Sequence, residues 1–118
     1  MMTAKKIAEV LNAEIMCCSE RAEEVEIHSA CGSDMMSDVL AYVKDQGMLL
    51  TGLVNPQVVR TAEMMDICCI AFVRGKRPDA SILSLAEDRG IVVLCTNERM
   101  YPACGKLYQA GLDAGKAI

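Results

Sequence analysis

The sequence predicts an α/β domain: a three-layer, mostly parallel sheet of about five strands with helices on both faces. Three observations carry that reading. Ile67-Cys68-Cys69-Ile70-Ala71-Phe72-Val73 and Ile91-Val92-Val93-Leu94-Cys95 are short unbroken apolar runs, as expected of strands covered on both sides. The stretch from Met48 to Ala62 reads as a strand, a tight turn at Gly52 and a helix opening at Asn55-Pro56. That strand–helix module returns at roughly 20–25 residue intervals, which implies parallel pairing and right-handed crossovers.

The elements follow in order. Thr3 caps a helix over residues 4–12, with Ile7, Val10 and Leu11 at helical spacing and Asn12 at its end. Residues 13–18 form a short strand, 19–24 a charged surface loop, and 25–30 a half-exposed strand of alternating character. After the turn Cys31-Gly32-Ser33-Asp34, Ser33 caps a helix and Asp34 sits at the positive end of its dipole. Met35, Val39 and Val43 fall on its buried stripe with Met36 and Leu40 beside them, and Gly47 stops it.

Asn55 caps the next helix and Pro56 occupies its first position, where the missing N–H does no harm; Val58, Val59, Ala62 and Met65 face the core. Residues 67–73 are a strand and 74–78 a turn. Ile82, Leu85 and Ala86 mark a helix closed by Gly90, and 91–95 a second buried strand. Asn97 caps a last helix through about Ala110, with Met100, Cys104, Leu107 and Tyr108 inward. Pro102 lies in its first turns.

The length of 118 residues implies one domain, 1–118. Hydrophobic residues make up 53% of it with one Phe, three Tyr and no Trp, so the core is aliphatic, with nine Met and seven Cys filling gaps. A net charge of −4 excludes a backbone-tracking nucleic-acid binder and adsorption to an anionic membrane. The odd number of cysteines, without any C-x-x-C, points to free thiols in a reducing cytoplasm. No signal-peptide block stands at the start, and no run approaches the roughly 18 apolar residues of a membrane span.

In open α/β sheets ligands bind beyond the carboxyl ends of the strands. Four turns leave those ends: 31–34, 51–55, 74–77 and Thr96-Asn97. The turn at 51–55 is the best anion site, because Gly52 admits close approach and the helix after it carries no acid before Glu63. Arg74, Lys76 and Arg77 gather three cations within four residues of an acidic chain. The candidate ligand residues are therefore Thr51, Gly52, Asn55, Arg60, Arg74, Lys76 and Thr96. The alternative is that the glycines only permit turns and the cations are solvated.

No G-x-x-x-x-G-K-[ST] or G-x-G-x-x-G occurs. His28, the only histidine, lies three residues before Cys31 and suits a partly buried structural role better than catalysis. Strand alternation sets Cys17 against Cys18, and Cys68 against Cys69, on opposite faces, so neither pair grips one ion; Cys31 and Cys95 can approach at strand ends with Cys104 beyond. The expectation is no metal site, no cofactor and no catalytic residue.

The segments Gly32-Ser33-Asp34-Met35-Met36-Ser37-Asp38-Val39-Leu40-Ala41, Leu50-Thr51-Gly52-Leu53-Val54-Asn55-Pro56-Gln57-Val58-Val59-Arg60-Thr61-Ala62 and Phe72-Val73-Arg74-Gly75-Lys76-Arg77-Pro78-Asp79 resemble the DRTGG domain family. Lys6-Ile7-Ala8-Glu9, Leu94-Cys95-Thr96 and Cys104-Gly105-Lys106-Leu107-Tyr108-Gln109-Ala110-Gly111-Leu112 extend the likeness over nearly the whole chain. The eponymous string itself is reduced to Arg60-Thr61. The resemblance implies an α/β domain similar to the N-terminal domain of HPr kinase/phosphorylase, used as an accessory module and paired as a homodimer. It also implies stand-alone copies near iron-only hydrogenases of anaerobes.

The expected function is a non-catalytic regulatory or interaction module, homodimeric, associated with hydrogenase or energy metabolism. The alternatives are a sensor of a nucleotide or other anion, and a redox or iron–sulfur accessory serving a protein partner in an anaerobic redox system.

Overall fold

The computed structural model describes residues 2–42 and 47–113. A five-stranded sheet runs through the molecule. Its strands are β2 (Glu14–Cys17), β4 (Ser29–Gly32), β5 (Gly47–Thr51), β6 (Cys69–Phe72) and β7 (Val92–Cys95), ordered β2-β7-β6-β5-β4. β4, β5, β6 and β7 are parallel and lie side by side in chain order; β2 pairs antiparallel with β7 at one edge. Three helices connect the parallel strands: α2 (Met36–Tyr42), α3 (Pro56–Met64) and α4 (Ala80–Asp88). The other two are α1 (Ala4–Leu11) and α5 (Met100–Gln109).

Alternation within fully buried strands sorts the core into two layers. Met48, Leu50, Cys69, Ala71, Val92 and Leu94 point to one face and pack with Ile7, Leu11, Ala103 and Leu107 of α1 and α5. Leu49, Ile70, Phe72, Val93 and Cys95 point to the other and pack with Met36, Val39, Val58, Val59, Ala62, Ile82 and Ala86 of α2, α3 and α4. Register places Met48 beside Cys69 and Cys69 beside Val92, so each face is continuous across three strands. Three crossover helices on one face, over strands stepping in one direction, is what a constant crossover hand requires.

Caps set the helix ends. Thr3 Oγ1 accepts from Lys6 N–H at 3.1 Å, and Asn12 closes α1 in the left-handed conformation. Asn55 Oδ1 accepts from Gln57 N–H at 2.9 Å with Pro56 at the first helical position. Asp79 accepts from Ile82 N–H at 3.0 Å.

Six expectations need correction. Residues 25–30 are not one strand. They split at His28 into β3 (Glu26–Ile27) and β4, because β3 pairs antiparallel with the two-residue N-terminal β1 (Met2–Thr3) while β4 joins the main sheet. His28, at the break, is exposed rather than partly buried.

The buried stripe of α2 is Met36 and Val39; Met35 is 60% exposed and Leu40 43%. The cause is a turn in which Ser33 Oγ accepts from Met35 N–H at 3.0 Å, delaying the helix to Met36 and leaving Met35 outside it. Val43 lies outside the described residues, and Gly47 is the first residue of β5. α5 starts after Arg99, not Asn97. Pro102 is tolerated as its third residue, where an N–H would have no helical acceptor. Tyr108, expected inward, is 72% exposed, and Ala103 and Leu107 carry the buried side.

Candidate functional site

Because β4, β5, β6 and β7 run parallel, the turns after them open on one rim of the sheet. This is the rim where an open α/β sheet binds ligands. Its centre is Asp34, in the turn between β4 and α2. Asp34 does not serve its own helix, as the sequence suggested. It reaches across to the next turn: Oδ1 accepts from Gly52 N–H at 2.7 Å and from Thr51 Oγ–H at 3.1 Å, and Oδ2 lies 3.4 Å from Arg74 Nη2. Thr51 and Gly52 end β5 and Arg74 follows β6, so one carboxylate joins three successive loops.

The rest of the rim is tied in the same way. Thr51, fully buried, also accepts from Leu53 N–H at 3.0 Å. Arg74 and Gly75 both adopt left-handed backbone, φ +63° and +71°. That bend directs their N–H groups to Glu98 C=O at 2.7 Å and Thr96 C=O at 3.0 Å. A side chain at Gly52 would meet the Arg74 guanidinium, the far end of a flexible side chain, and would push it away from Asp34. Thr96, buried, donates to Leu11 C=O at 2.8 Å and accepts from Glu98 N–H at 3.1 Å. It therefore satisfies a carbonyl left over at the end of α1.

Of the seven candidate residues, Thr51, Gly52 and Arg74 meet directly around Asp34. Asn55 caps α3, and Thr96 anchors the β7 end of the rim. Arg60 is on the exposed side of α3, a turn beyond its start. Lys76 is exposed and makes no ion pair among the described residues. Arg77 is drawn off to Glu14 on β2 at 2.8 Å. The organising residue, Asp34, was missed as a site member. Its sequence signal was a short acid in a strand-end turn, which reads equally well as a helix-dipole partner.

A second polar cluster lies at the far edge. Cys17 and Cys18 do not point apart. Met16 is the extra residue of a bulge between Ile15 and Cys17 in the β2–β7 register, and Cys18 turns the chain with φ +57°. With alternation broken twice, both sulfurs converge with a Glu87 carboxylate oxygen, all within 4.8 Å. Cys18 Sγ donates to Glu87 Oε2 at 3.3 Å, and Cys17 Sγ to Ile91 C=O at 3.4 Å. Burial first, and then the Glu87 hydrogen bond, push the Cys18 thiol up to about 12.

Cys31 and Cys95 do not approach: β5 and β6 separate their strands. Cys104 Sγ instead lies against Gly32, where an added Cβ would stand 2.8 Å from it. With Ala30, Leu50, Leu107, Tyr108 and Leu112, these two residues line a small apolar pocket of about 160 Å³.

An open, mostly parallel sheet with helices on both faces and a cross-tied carboxyl-end rim defines a small α/β domain. The chain belongs to the DRTGG domain family, whose sequence pattern matches residues 6–110. A comparison with curated protein sequences gave no match.

Among solved structures it is similar to the CBS and DRTGG domains of the regulatory region of Clostridium perfringens pyrophosphatase, determined in complex with the activator diadenosine tetraphosphate. The TM-score is 0.71 at 16% identity, over 92% of this chain and 46% of that one. At that identity the likeness shows the fold, and this chain spans less than half of that structure's length. Among the described residues, no helix is long and apolar enough to cross a membrane.

Proposed function

We propose that residues 1–118 form a single non-catalytic regulatory or interaction module that acts as a cytoplasmic homodimer. The observation that carries this reading is the occupied rim. The donors best placed to stabilise a substrate's charge, Gly52 N–H and the Arg74 guanidinium, are engaged by Asp34 of the same chain. The hydroxyl that could act as a nucleophile, on Thr51, is fully buried with its proton and a lone pair both in use. A rim built this way holds loops in place.

Pairing is supported by Met35 and Leu40, large apolar side chains left exposed on and just before the helix that follows edge strand β4. The resemblance to stand-alone family members points to a hydrogenase-linked redox partner in an anaerobe. In a phosphate-release assay with ATP and simple phosphoesters, the purified chain is expected to stay at background. Turnover that disappears in Arg74→Ala would sink the non-catalytic reading. Light scattering should give a dimer mass that Leu40→Glu reduces to a monomer.

A specific observation favours a second reading, an anion or nucleotide sensor. The Asp34–Arg74 pair is long, 3.4 Å, and both side chains are about half exposed. A phosphate carries more charge than a carboxylate and could displace Asp34 from Gly52 N–H and Arg74, with Lys76 nearby on the same turn. The regulatory region similar in fold was determined with a dinucleotide activator, which guides the choice of probes. Mononucleotides and dinucleoside polyphosphates at millimolar concentration should raise the melting temperature of the wild type and not of Arg74→Ala. No stabilisation by any of them leaves the interaction module alone.

A further inference from the structure

We propose that Cys17, Cys18 and Glu87 form a binding site for one thiophilic divalent cation, zinc by its ligand set, where the end of β2 meets the end of α4. The three donor atoms lie within 4.8 Å of one another. In a tetrahedral zinc site with bonds of about 2.0–2.3 Å, donors stand roughly 3.3–3.8 Å apart. Cys18 Sγ and Glu87 Oε2, at 3.3 Å, already have that spacing.

Two soft sulfurs with one carboxylate match zinc or cadmium, not calcium or magnesium, which take all-oxygen shells. Three protein ligands leave a fourth position for water. The site is also built on the backbone: the bulge at Met16 and the left-handed Cys18 are what aim both sulfurs to one side. A plain strand would have separated them.

The electrostatics favour a cation. Burial comes first in raising both thiols, Glu87 adds negative charge beside each, and Glu20 adds more on the Cys17 side. The nearby guanidinium, of Arg21, is directed to the carbonyl of Gly90. Zinc takes each cysteine as its thiolate, so a ligand thiol gives up its proton. Binding releases those protons, and affinity climbs with pH.

The test uses the full chain, reduced and stripped with a chelator under anaerobic conditions. Cadmium is titrated while the thiolate-to-metal charge-transfer band is followed, and zinc affinity is read by competition with a chromophoric chelator. The expected result is one equivalent of either metal and an upward shift in melting temperature. Cys17→Ser and Cys18→Ser should each lose at least half of the band and weaken zinc binding at least about tenfold, whereas Glu87→Gln should weaken it while keeping the band.

Cys68→Ser and Cys104→Ser should bind like the wild type. Cys17 is only half-buried, so its variant keeps the test decisive if Cys18→Ser fails to fold. No charge-transfer band, or a band unchanged in Cys17→Ser, overturns the site.

Discussion

Two regions of this domain collect polar groups, and they do so by opposite means. At the carboxyl-end rim, Asp34 meets two donors and a guanidinium, so charges and hydrogen bonds are complementary and the loops are tied to one another. At the corner of β2 and α4, Cys17, Cys18 and Glu87 are all groups whose ionised forms are negative, and Cys18 keeps its proton and donates it to the Glu87 carboxylate. The rim is finished within the chain. The corner is balanced only while its thiols stay neutral, or while a cation replaces the protons. A polar cluster of one sign is therefore the better place to look for a ligand, even when it lies away from the rim that topology favours.

The largest expected effect breaks the corner with alkali. A thiol whose value is raised by folding keeps its proton where the unfolded chain has released it. Its contribution to stability is complete below the ordinary 9.0 and is lost as pH rises from there towards the about 12 of folded Cys18. Cys69, fully buried, is raised well above 9.0 by the same desolvation and adds to the loss. Denaturant midpoints should fall steadily above pH 9.0, and Cys18→Ala should flatten that fall. A midpoint unchanged across this range would show that the corner is not held by neutral thiols.

The next two effects test the rim. Thr96→Val removes a buried hydroxyl and strands the Leu11 carbonyl that it served. The cost should be about 1–3 kcal/mol, read as a lower denaturant midpoint with unchanged slope. Asp34→Ala takes away two hydrogen bonds and a half-exposed ion pair; its groups are less buried, so about 1–2 kcal/mol is expected. The same variant sharpens the comparison, because it vacates Gly52 N–H and Arg74. If the rim senses an anion, phosphate or nucleotide should stabilise Asp34→Ala more than the wild type.

The rim was largely legible in the sequence and the corner was not. Unbroken apolar runs identified the parallel strands, and parallel strands place their exit turns together. Thr51, Gly52 and Arg74 could therefore be brought to one place before any coordinates. The missing partner, Asp34, was legible as a residue but not as a reach across two loops. Nothing local separates an acid that serves its own helix from one that serves its neighbour's turn.

The corner depended on where alternation stops. A rule of period two predicts that Cys17 and Cys18 diverge, and it holds only inside a regular strand. A one-residue bulge and a left-handed residue are small backbone events without a glycine or proline to announce them. The exposed Met35 was misread because α2 begins one residue later, and Tyr108 because the buried face of α5 runs through Ala103 and Leu107 rather than through Cys104 and Tyr108.

The smallest effect is the most discriminating about the rim's cations. Arg74 and Arg77 stand three residues apart on one turn, and sequence alone gives them the same role. The structure divides them. Arg74 backs the carboxylate at the centre of the rim, and Arg77 reaches an exposed partner, Glu14, on β2. An ion pair with both members about half exposed contributes roughly 0–1 kcal/mol, so Arg77→Ala should lower the stability read from denaturant unfolding by about 0.5 kcal/mol or less. It should also leave any nucleotide-dependent stabilisation intact. If Arg77→Ala abolished that stabilisation while Arg74→Ala preserved it, the ligand would sit towards β2 rather than at Gly52, and Asp34 would hold the loops without guarding a site.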